Sequence, residues 1–149
     1  MTPLVAGLEL AATLTCALFA GAAVYITVVE HPSRMGLDTR IAALQWAPSY
    51  GRATWLQAPL ALVSLVCGVA VWLFGAGSAW LAAALLVGAV VPFTFAVIMP
   101  TNHKLLAPGR DLESAETREL LVKWGRLHAV RTVLSLVATL VFLWLLIGA

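Results

Sequence analysis

Four long apolar runs dominate the chain, at about residues 4–29, 53–74, 79–99 and 127–147. Two polar stretches and one short turn separate them. A bilayer core asks for about 20 apolar residues per helix. In lipid only helices and closed barrels satisfy their own backbone, and runs this long exceed barrel strands. The pattern therefore predicts an all-α integral membrane four-helix bundle, a single domain over residues 1–149. Thr2 and Pro3 suit the N-cap and first position of the first helix, and "GAGS" (Gly75 to Ser78) suits a tight turn. Small residues four apart, Ala12, Cys16 and Ala20 in one row and Ala17 with Gly21 in another, would let helices approach closely.

The two polar connections carry helical signals of their own. In "LDTRIAALQWAPSY", Ile41, Leu44 and Trp46 predict a short interfacial helix stopped by Pro48. "DLESAETRELLVKWGRLHAVR" predicts a helix capped by Ser114, with Glu116 and Glu119 in its early turns, running on into the fourth span.

Composition agrees with the pattern. The chain is 62% hydrophobic and 11% charged, against about half and a quarter in soluble domains. Cys16 and Cys67 lie inside apolar runs and read as small packing residues. The N-terminus lacks the basic region of a secretory signal, and its apolar stretch is too long for one, so it reads as a retained span. All nine Lys and Arg fall on one side: Arg34, Arg40, Arg52, Lys104, Arg110, Arg118, Lys123, Arg126 and Arg131. By the positive-inside rule that side is cytoplasmic and both termini lie outside, as in the inner membrane of a bacterium. Glu9, near the outer end, is expected to reach back to the interface.

The same charge map gathers the polar residues at one level. The first span ends in Thr27, Glu30 and His31; the second begins with Tyr50, Arg52 and Gln57; the third ends in Thr101, Asn102 and His103; the fourth begins with Trp124, His128 and Arg131. All three histidines are among them. Trp124, His128, Arg131 and Ser135 step by four, three and four, so they share one helix face. A charge a turn inside the bilayer needs a partner, and Glu30 is the nearest acidic candidate for Arg131. Plainer readings stand beside this one. Glu30 and His31 suit an interface, His103 beside Lys104 suits a solvated loop, and Trp46 and Trp124 suit an aromatic belt. No metal or other cofactor is predicted: His31, His103 and His128 accept metals in principle, with Glu30 as a fourth ligand, but they lack chelating spacing. Neither cysteine sits in a haem or iron–sulfur pattern. Walker and GxGxxG loops are absent, and no nucleic-acid partner is expected.

Together, "VVEHPSR", "YGRATWLQAPLAL", "PFTFAVIMPTNHKLL" and "WGRLHAVRTVLS" resemble the anthrone oxygenase family over most of the chain. The most specific elements are Pro100-x-Asn102 and Trp124-x3-His128-x2-Arg131, where many members carry Asn in place of His128. The resemblance implies a small four-span membrane protein. Fungal members convert anthrones to anthraquinones with molecular oxygen and no conventional cofactor. Applied here, it implies an oxidoreductase acting on an anthrone- or hydroquinone-like ring. His128 or His103 would be the base, and Arg131 and Asn102 the donors for a developing oxyanion. Glu30, His31, Tyr50, Gln57, Trp124 and Trp46 would line the substrate site. The expected partners are the lipid bilayer and an aromatic or quinone-like small molecule, with a homo-oligomer left open. The competing reading is a non-enzymatic module that binds a quinone, lipid or partner protein at its cytoplasmic face.

Overall fold

The structure, a computed structural model, describes residues 2–148. Four helices make up nearly all of it: α1 (Pro3–Met35), α2 (Thr39–Leu73), α3 (Ser78–Leu105) and α4 (Ala115–Ile147). Each is long and apolar enough to cross a membrane. The predicted ends hold. Thr2 Oγ1 accepts the Val5 N–H at 3.4 Å ahead of Pro3, and Ser114 Oγ accepts the Thr117 N–H at 3.2 Å. Gly75 and Gly77 make the α2–α3 turn at φ +90° and +104°, a region that favours glycine.

The helices overrun their apolar cores at the basic end. At about 1.5 Å per residue, the 35 residues of α2 span about 50 Å against a hydrocarbon core of about 30 Å. That overrun corrects one expectation. Pro48 does not stop a separate helix; α2 passes through both Pro48 and Pro59. A proline inside a helix removes one hydrogen bond at a cost of about 3 kcal/mol. Burial of Ala42, Ala43 and Trp46 against the bundle on the same helix offsets it.

Two helices contain a wider turn. Ile26–Glu30 in α1 and Thr94–Ile98 in α3 are π-helical, closed by bonds from His31 N–H to the Ile26 carbonyl and from Met99 N–H to the Thr94 carbonyl. Each has a proline two residues past its end, Pro32 or Pro100. The ring of a proline crowds the carbonyl four residues earlier, and one extra residue in the turn relieves it. Such turns recur at functional sites; both lie at the level of the polar cluster.

Packing divides into two clusters. Toward the termini, Cys16 and Phe19 of α1 meet Val71 of α2, Trp80 and Val87 of α3, and Phe142 of α4. The row Ala12, Cys16, Ala20 is fully interior. Ser64 Oγ donates to the Ala12 carbonyl at 2.9 Å, and Thr139 Oγ1 to Cys16 Sγ at 3.3 Å. In the second row Ala17 is half-buried and Gly21 exposed. Both cysteines are free. Glu9 is 4% exposed and lines a cavity between the outer helix ends with Thr2, Phe74, Trp80 and Leu145. Toward the basic end a second cluster joins Ile26, Ala43, Trp46, Ile98, Leu121 and Trp124. The polar site lies beside this cluster.

Candidate active site

The helical spacing of α4 sets the site. Trp124, His128 and Ser135 are buried on one face, with Arg131 half-buried beside them. His128 Nδ1 and Thr27 Oγ1 share a hydrogen bond of 3.1 Å, and Thr27 Oγ1 meets Thr132 Oγ1 at 2.8 Å. The α1 hydroxyl thus fixes the imidazole from behind. On its other flank the ring stacks on Trp124, with centroids 5.0 Å apart and planes 28° apart. The aromatic surface continues: Trp46 meets Trp124 edge to face with centroids 5.8 Å apart, and Tyr50 stacks on Trp46 at 5.1 Å and 5°. His31 approaches Trp124 at 5.2 Å. It fits only because residue 125 is glycine; a Cβ there would overlap the His31 ring.

Arg131 does not pair with Glu30. Its Nη2 donates to Gln57 Oε1 at 3.0 Å, and its guanidinium carbon lies 5.5 Å above the Phe19 ring. Glu30 is instead held by Arg34, one helical turn on, and by the Ser49 hydroxyl. Arg34 Nε also donates to Gln45 Oε1 at 3.0 Å. The i,i+4 spacing of Glu30 and Arg34 favours that pair and left Arg131 with a neutral partner. Among the described residues, Arg131 Nε and Gln57 Nε2 are buried donors without acceptors. Native interiors seldom leave such groups unsatisfied, which marks the place where a ligand or water would bind.

Three voids meet here. A central one of about 10 Å³ lies among Ser49, Tyr50, Gln57, Trp124, His128 and Arg131. An apolar cleft of about 100 Å³ between α2 and α3 shares Tyr50, Thr54 and Arg131 with it. A groove of about 440 Å³ between α1 and α2, with Tyr25, Glu30, Arg52 and Leu56 on its walls, shares Ser49 and Gln57.

Of the sequence candidates, His128, Arg131, Gln57, Tyr50 and Trp124 come together around the central void. Trp46 and His31 stand behind Trp124, with Trp46 Nε1 and His31 Nδ1 unpartnered among the described residues. Glu30 faces the outer groove. Asn102 is 0% exposed, and both its amide atoms lack partners among the described residues, yet it lines none of the three voids. His103 points out of the bundle and is exposed, so it cannot act on the central void. His31, His103 and His128 therefore do not form a ligand set; among the described residues no three His, Cys, Asp or Glu side chains do. Sequence reasoning missed Phe19, Ser49, Gln45, Thr132 and Gly125. Of these, only the Glu30–Arg34 network touching Ser49 and Gln45 had a legible cue, the four-residue spacing.

The anthrone oxygenase family matches residues 46–141, from Trp46 through Tyr50, Gln57 and Asn102 to Trp124, His128 and Arg131. The chain belongs to this family. Anthrone oxygenase ptaC of Pestalotiopsis fici is 32% identical over 124 residues, covering 72% of this chain and 86% of the relative. An anthrone oxygenase of Claviceps purpurea is 26% identical over 144 residues, covering 87% and 83%. Anthrone oxygenase tpcL of Aspergillus fumigatus is 38% identical over a shorter 68-residue match, 44% of this chain and 42% of the relative. No solved structure matches the chain. Within this family member, the matched region supplies every residue that lines the central void except Ile26, whereas Glu30, His31 and Arg34 lie outside the match.

Proposed function

We propose that this family member oxidises an anthrone- or hydroquinone-like ring with molecular oxygen, using its own side chains and no resident metal. One observation supports this above others: His128 and Arg131 face the same void, between the Trp124 and Tyr50 rings, with unsatisfied donors on Arg131 and Gln57. The basic end faces the cytosol, by the one-sided distribution of Lys and Arg.

The C–H of an anthrone opposite its carbonyl is acidic, because the electron pair left behind spreads into the ring and onto that oxygen. His128, whose Nδ1 is engaged with Thr27, takes the proton through Nε2 as general base. Arg131 and Gln57 carry N–H donors toward the oxygen that gains charge. The enolate carbon then bonds to O2, and the imidazolium returns the proton to the resulting peroxide. Loss of the remaining C–H proton with cleavage of the O–O bond forms the new carbonyl and releases one water. Anthrone plus O2 thus gives anthraquinone plus water.

The test is oxygen uptake and quinone formation by purified protein supplied with anthrone. General-base catalysis is worth about 10²–10⁴-fold, so His128→Ala should lose turnover on that scale, and Arg131→Gln should fall by about 10²-fold or more. Wild-type protein that binds the quinone yet consumes no oxygen would favour the binding-module reading.

A further inference from the structure

We propose that the α2–α3 cleft is the substrate's door, admitting a flat, neutral, lipophilic ring sideways from the bilayer to Arg131. This rests on the reading of the central void as the reaction site and adds how the ring arrives. The cleft runs between the apolar spans of α2 and α3, at bilayer depth. Its outer lip is Thr54, Ala58 and Phe95, all exposed on the lipid-facing surface, with Phe95 at 67%. Its inner end is Arg131, and Tyr50 and Arg131 also line the void beside His128. The walls between are Ala61, Val90 and Val91. An apolar passage with one cation at its inner end suits a ring that carries a single oxygen forward and hydrocarbon behind.

The groove on the other side of α2 is the wrong medium. It presents Glu30, Ser49 and Arg52, and Gln57 stands between it and the void. A neutral ring would have to leave lipid and displace the solvation of those groups. At about 100 Å³ the cleft is narrower than the roughly 300–1,000 Å³ of drug-sized pockets, so α2 and α3 part as the ring enters. The π-turn Thr94–Ile98 lies on the α3 side of this opening, where a non-standard turn allows local yielding.

The test puts bulk at each lip of the full-length protein in lipid nanodiscs. Ala58→Phe should lower kcat/KM for anthrone at least tenfold and slow association of anthraquinone, followed by tryptophan quenching, by a similar factor. Ala22→Phe, on the α1–α2 side, should leave both within twofold. Full activity in Ala58→Phe with loss in Ala22→Phe would overturn the door while His128→Ala still reports on the chemistry. Loss of activity in Ala58→Phe with unchanged quinone association would also overturn it.

Discussion

Residue 125 shows how closely α4 and α1 are fitted. Glycine there leaves room for the His31 ring against Trp124, and any Cβ would collide with it. Gly125→Ala should destabilise the bundle by about 1–3 kcal/mol, as overpacking of a well-filled site does. His31→Ala should recover most of that loss when combined with it. Equilibrium unfolding of the two single variants and the double variant in mild detergent reads the coupling; additive effects would mean that the ring moves aside freely. Nothing in the sequence pointed to this contact, since a glycine in a polar stretch carries no mark of what lies over it. Arg131 is the contrasting case. Its depth in the fourth span required a partner, but the partner proved to be Gln57, a neutral acceptor. Charge pairing by sign alone chose Glu30, which its own helical neighbour Arg34 already holds.

At the scale of elements, termini and spans were readable because they depend on local chemistry. Thr2, Ser114 and the Gly75 turn act through their own few residues, and each stands where the sequence placed it. Ser114 caps α4 well away from the central void, so Ser114→Ala should lower stability by about 1 kcal/mol. Turnover per folded molecule should stay unchanged, as thermal unfolding and oxygen uptake on the same sample would show. Prolines were harder to read. Pro48 looked like a stop because its local preference is against helix, yet packing of the segment before it keeps α2 continuous. The π-turns before Pro32 and Pro100 escape hydropathy altogether, because a widened turn leaves the apolar pattern almost intact.

For the whole molecule, four apolar runs and a one-sided distribution of basic residues were enough to place the polar cluster at one end. They could not say which members face inward: His103 belongs to the right level and points the wrong way. Orientation can be read with single cysteines at Ala76 and Ala107 in a chain carrying Cys16→Ala and Cys67→Ala. In intact cells an impermeant maleimide should label Ala76→Cys at once and Ala107→Cys only after permeabilisation; the reverse would invert the topology. The overrun of the helices has one more consequence. His31, Arg34 and Trp46 lie on turns that a bundle trimmed to membrane thickness would lack; His31 and Trp46 buttress the Trp124 ring, and Arg34 holds the Glu30 carboxylate. A protein of 149 residues thereby roofs its central void with the tips of its own spans, so shortening those tips should open the void to water before it unfolds the bundle.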